Sequence, residues 1–148
     1  MPSAAHAPAM TDNALHELAE TYVTLWNEPD PVARRTAVRS LWAADGAHVL
    51  HPSEEIRKAA AGLGFGSPAL EAHGHEAIET RVTRAYEDFV ATGELTFALG
   101  GTPVRLRDAV KLTWRAVRTA DGVDAGGGLD ILLLDRDGRI VTDYQFPD

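Results

Sequence analysis

Apolar positions recur every three or four residues in three stretches of the chain and alternate with polar ones in most of the rest. Leu15, Leu18, Ala19, Tyr22, Leu25 and Trp26 predict an amphipathic helix starting at Thr11 or Asp12, either of which can cap it. It stops at Asn27-Glu28-Pro29. Asp30 then caps a second helix with Pro31 at its first position, where a missing N–H costs nothing. Ala33, Ala37, Val38, Leu41 and Trp42 make its buried side, Arg34, Arg35 and Arg39 point outward, and Asp45-Gly46 ends it. Ala47 to His51 reads as a short strand. Val49 and His51 share one face, expected to be the interior one, while His48 and Leu50 share the other.

Pro52 ends that strand, and Ser53 to Ala61 predicts a short extra helix. The glycines at 62, 64 and 66 and Pro68 mark a loop, so residues 53–68 are expected to form a lid. Ala69 to His73 predicts a strand that pairs back. Gly74 opens a third main helix on Ile78, Val82, Ala85 and Phe89, closed by Gly93. From Glu94 onward the period is two. Strands are expected over Glu94 to Leu99, over Pro103 to Val117 as one long strand or a bent pair, and over Gly126 to Asp135 and Arg139 to Phe146. The last two form a hairpin around Asp137-Gly138. Helices early and antiparallel strands late give an α+β domain over residues 12–148. Leu129, Ile131 and Leu133 lie on one face of their strand and Leu132 and Leu134 on the other. Both faces therefore need cover, helices on one and a second copy of the chain on the other.

Charge narrows the partners. Lys plus Arg is 14 and Asp plus Glu is 22, a net charge of −8, which disfavours nucleic acid and anionic membranes. No apolar run is long enough to span a bilayer. With no cysteine, disulfides, thiol catalysis and Cys-ligated zinc are excluded. Residues 1–11 read as a disordered tail without the features of a signal peptide, and the protein is expected to be cytoplasmic.

Candidate chemistry concentrates on a few residues. Asp130 shares a strand face with Leu132 and Leu134, so its carboxyl must find donors or hold a proton. His51 is a candidate general base, because an unperturbed imidazole titrates near neutrality. Tyr22 can donate to a carbonyl or enolate oxygen. Trp26, Trp42, Val49, Phe89, Trp114 and Leu132 are candidates for the wall of an apolar pocket. His73-Gly74-His75 has the look of a metal pair, but a helix starting at Gly74 splits it, and no metal or other cofactor is expected. Gly126-Gly127-Gly128 has no helix after it to bind phosphate and is expected to permit a bulge or close packing beside Asp130.

The stretches YVTLWNEPD, LWAADGAHVLHP, GHEAI and GLDILLLDRDGRIVTDYQF together resemble the SnoaL-like branch of the nuclear-transport-factor-2-like superfamily. The likeness runs from about Ala14 to Phe146. It implies a curled antiparallel sheet wrapped over three helices as a cone, an internal pocket for a small apolar or aromatic molecule, and a homodimer. It also implies either a polyketide cyclase, isomerase or dehydratase working without a cofactor, or a non-catalytic binding protein of the same shape. Against the ketosteroid isomerases of that superfamily, Tyr22 stands where an oxyanion-holding tyrosine does. Asp130 stands where a protonated aspartate does, and His51 stands where those enzymes carry an aspartate base. A His51–Asp130 pair would resemble the arrangement in scytalone dehydratase.

Overall fold

The computed structural model describes residues 7–64 and 70–148. Its elements run α1 (Asp12–Leu25), α2 (Pro31–Leu41), β1 (Trp42–Leu50), α3 (Glu54–Gly62), β2 (Leu70–His73) and α4 (His75–Ala85). A π-helical turn (Tyr86–Val90) follows, then β3 (Leu95–Leu99), β4 (Val104–Leu106), β5 (Ala109–Arg118), β6 (Asp124–Leu134) and β7 (Ile140–Pro147). One sheet runs β2-β1-β7-β6-β5-β3, with β4 hairpinned onto β5. The sheet curls without closing and α1, α2 and α4 pack on its concave side, an α+β cone. β1 lies parallel to β7 and every other pair is antiparallel, so the sheet is mixed rather than purely antiparallel.

The local chemistry explains the boundaries. Thr11 accepts from the Ala14 N–H at 3.0 Å and starts α1; Asp30 accepts from the Val32 N–H at 3.2 Å and starts α2. Asn27, just past α1, exchanges two hydrogen bonds with the Phe97 backbone, at 2.7 and 2.9 Å, and so pins the helix end to β3. In the β6–β7 turn, Asp135 accepts from the Asp137 and Arg139 N–H groups while Gly138 takes φ 82°. Pro103 to Val117 resolves as the bent pair, turned at Arg107 with φ 51°.

Three placements differ from the sequence reading. Asp45-Gly46 does not end α2; β1 starts directly at Trp42, and its pairing with β7 slips between Trp42 and Ala47. Arg34 does not point outward. It is buried, donates to the Glu28 and Pro29 carbonyls at 2.7 and 3.1 Å, and lies 4.9 Å over the Tyr86 ring. Those loop carbonyls would otherwise be left without donors, which is why a cation goes inward there. The tail expected over residues 1–11 is described only from Ala7, where Ala7 and Met10 pack against the core and the Ala7 N–H donates to Asp108. The lid expected over residues 53–68 falls partly on 65–69, outside the described residues.

The core joins α1, α2 and α4 to the inner sheet face through Tyr22, Leu25, Val38, Trp42, Ile78, Val82, Val110, Leu112, Leu132 and Ile140. Gly128 serves that packing. A methyl group there would meet the Phe146 carbonyl oxygen at 2.6 Å and the Trp114 ring at 2.7 Å. The glycine lets the Trp114 indole lie down on the sheet and reach Asp130. The expected close packing beside Asp130 is therefore present.

Candidate functional site

A cavity of about 410 Å³ opens inside the cone. Its wall is mainly apolar, from Val23, Trp26, Phe89, Leu95, Phe97 and Trp114 among others. The π-helical turn carries Phe89, so the wider turn sets that ring at the rim. Tyr22, His48, Arg81 and Gln145 are the main polar side chains on the wall.

At the inner end, three buried groups touch. The Tyr22 hydroxyl lies 2.8 Å from Asp130 Oδ2 and 2.5 Å from Asp143 Oδ2. A phenol has one proton to give, so one of these contacts must be a donation into it from a protonated carboxyl. The donors around each carboxyl decide which. Asp130 accepts from the Trp114 indole N–H at 2.8 Å and from the Gln145 amide at 3.3 Å on Oδ1, and from Tyr22 on Oδ2. Asp143 has no other partner for Oδ1 among the described residues. Charge therefore sits on Asp130 and the proton on Asp143, in the order Asp143 O–H to Tyr22 O–H to Asp130. Electrostatics agree. Burial first, and the Asp130 charge second, hold the Asp143 carboxyl well above the usual carboxylate range. Burial and both aspartates keep Tyr22 a phenol.

His48 is the imidazole of this wall, and its protonation can be read from its neighbours. Arg81 Nη1 lies 3.0 Å from His48 Nδ1, and a guanidinium can only donate. Nδ1 must therefore be the lone-pair nitrogen and Nε2 must carry the hydrogen. Burial, and then the Arg81 charge, push this imidazole down to about 3, so it is neutral. Its Nε2–H points toward Asp143 Oδ2 at 3.9 Å, too long for a hydrogen bond and, with a neutral ring, not an ion pair.

His48, Asp130 and Asp143 offer three ligand-type atoms within 4.8 Å of one another. The tautomer does not suit a metal. A ligating histidine presents a bare nitrogen and gives its other N–H to an acceptor, whereas here the second nitrogen faces a donor. Tyr22 also stands between the two carboxyls.

The site thus brings Tyr22 and Asp130 together, as the sequence suggested, with Trp26, Phe89 and Trp114 on the wall. It does not bring His51. That residue follows β1, is exposed and lies 6.1 Å from the Phe146 ring, so no His51–Asp130 pair forms. Val49 lies on the outer face of the sheet and His48 and Leu50 line the cavity, the reverse of the expected phase. Trp42 and Leu132 are fully buried core residues rather than cavity wall. His73 bonds Glu71 at 2.9 Å and His75 bonds the Trp42 carbonyl at 2.8 Å, so the split of that pair holds. Sequence reasoning passed over Asp143, His48 and Arg81. The available signal for Asp143 was a second aspartate in the strand opposite Asp130.

A fixed, neutral His48 has a measurable consequence. Of the six histidines, one is expected to show the Nε2–H form in nitrogen-correlated NMR spectra and to stay unprotonated through the range near the usual value of about 6.5. The unfolded chain binds a proton that folded His48 refuses, so this residue's contribution to stability is full above about 6.5 and declines as pH falls toward about 3. Ordinary titration of all six imidazoles would contradict the assignment.

Comparison with known proteins places this geometry. No protein-family model matches the chain, and no curated protein matches it. Solved structures do. A protein of Agrobacterium tumefaciens, provisionally named an isomerase of the SnoaL-like family, is 28% identical, with a TM-score of 0.72 over 94% of this chain and 99% of its own. A SnoaL-like protein of unknown function from Burkholderia thailandensis is 16% identical, with a TM-score of 0.60 over 95% and 99%. A protein of Jannaschia, provisionally named a SnoaL-like polyketide cyclase, is 15% identical, with a TM-score of 0.60 over 90% and 86%. The chain is thus similar in fold to SnoaL-like and nuclear-transport-factor-2-like proteins.

Proposed function

We propose that this protein binds a small apolar or aromatic carbonyl compound in its cone and performs acid/base chemistry on it with side chains alone. The observation that carries the reading is the two-proton chain from Asp143 through Tyr22 to Asp130 beside an apolar cavity. When Tyr22 turns its hydroxyl to a substrate carbonyl, Asp130 Oδ2, just behind Tyr22, loses a donor and is left to act as the base. Asp130 then takes the proton from the carbon next to the carbonyl, while Tyr22 stabilises the enolate oxygen and is resupplied from Asp143. Return of the proton to another carbon is an isomerisation. Attack of the enolate on a second carbonyl is an aldol cyclisation, and loss of a β-hydroxyl is a dehydration. His51 has no part in this scheme and neutral His48 is a donor in it.

The test uses 2-acetylnaphthalene in deuterated water. The protein is expected to accelerate exchange of the methyl protons, and Tyr22→Phe and Asp130→Asn are each expected to lower the acceleration by about 10²-fold or more with binding retained. Binding without acceleration would favour the second reading, a non-catalytic ligand-binding protein. The observation behind that reading is that Tyr22 and Asp130 are only 1% and 0% exposed.

We also propose a homodimer. The outer sheet face carries half-buried Leu129, Ile131 and Leu133, with Tyr144 and Phe146 39% and 44% exposed, a surface suited to a second copy. Sedimentation equilibrium is expected to give twice 15.9 kDa; the mass of one chain would refute the dimer.

A further inference from the structure

Arg81 differs from the other cations of this protein in being drawn into the cavity wall. Exposed Arg35, Arg115, Arg118 and Lys58 each lie within 3.3 Å of a carboxylate. Buried Arg34 has two carbonyls and an aromatic ring. Arg81 is half-buried on α4 at the cavity rim, and no carboxylate lies within 4.0 Å of it among the described residues. The residues outside that set, 1–6 and 65–69, include no Asp or Glu. A cation drawn partly out of water is expected to have a counter-charge.

Its geometry specifies what is missing. Nη1 is held by three neutral acceptors, His48 Nδ1 at 3.0 Å and the His48 and Leu70 carbonyls, both at 3.1 Å. These contacts fix the guanidinium plane against β1 and β2. The Nε and Nη2 hydrogens have no partner among the described residues, and together they form the edge that matches the two oxygens of a carboxylate. The rest of the wall is mainly apolar and aromatic; besides Tyr22, His48 and Gln145 it includes Asp148, which already lies 3.3 Å from Arg115. The deep end already holds the Asp130 charge, so an anion is excluded there and tolerated only at the rim. The protein's net charge of −8 repels anions in general, which makes one built-in cation at the cavity the more selective.

We infer that the cone takes an apolar or aromatic carboxylic acid, its ring system among Trp26, Phe89 and Phe97 and its carboxylate on the Nε/Nη2 edge of Arg81. This rests on the small-molecule reading above and narrows it: the reacting carbonyl compound carries an acid group as well. The acid anchors at the rim and the carbonyl reaches inward to Tyr22.

The experiment compares 2-naphthoate with 2-naphthamide, which has the same shape and no charge, by calorimetry on the full chain. The acid is expected to bind the native protein about tenfold or more tightly than the amide. Arg81→Met should abolish that preference, weakening the acid far more than the amide. Arg81→Lys, which keeps the charge and loses the two-pronged edge, should fall between, and it decides the matter if Arg81→Met does not fold by circular dichroism. Equal binding of acid and amide to the native protein, or a preference undiminished in the Arg81 variants, overturns the inference and leaves the acid/base reading standing. Binding of neither ligand overturns both.

Discussion

One phenol proton between two buried carboxyls is the constraint around which the interior is arranged. Two aspartates this deep cannot both be ionised, and one unpaired charge would still be costly. The fold meets the cost with donors from three elements. Tyr22 comes from α1, Trp114 from β5 and Gln145 from β7, all onto Asp130 of β6. The proton left on Asp143 removes the second charge. Two of these donors need a local device to arrive there: the Asn27 clasp that sets the end of α1, and Gly128, which lets the Trp114 ring lie flat. A polar centre with satisfied donors also limits which packings the core can adopt.

The same arrangement divides the cavity electrically. The deep end holds a proton and a charge already balanced by donors. The rim holds a guanidinium with no carboxylate beside it. His48 lies between, fixed by Arg81 on one nitrogen and facing Asp143 with the other. A ligand entering such a space meets an apolar wall, one anchoring charge and one mobile proton. Few other polar groups compete for it.

Most of the scaffold was legible because it obeys simple periods. Leu15 to Trp26 repeats as a helix and Val110 to Ala116 as a strand, while Asp30-Pro31 and Asp137-Gly138 announce their boundaries. Tyr22 and Asp130 stood out, one on a helical apolar face and the other on an apolar strand face. Legibility failed where hydrophobicity does not say which face is inside. The sheet is apolar on both faces, so Val49 gave the wrong phase to β1, and a one-residue change of phase exchanges His48 for His51. Asp143 escaped notice because its partner is set by the register of β6 on β7, Leu132 opposite Asp143 and Asp130 opposite Gln145, which no local pattern encodes. Arg34 and Arg81 look like ordinary helix-surface cations in sequence; only the loop carbonyls and the cavity beside them make them otherwise.

The most direct test of the account is the protonation state of the buried pair, read from carboxyl carbon shifts in protein labelled at its aspartates. The account predicts one aspartate, Asp143, still protonated at pH 7, with its resonance lost in Asp143→Asn. Ionisation of every aspartate at that pH would contradict it, because the Tyr22 hydroxyl would then face two carboxylates with one proton.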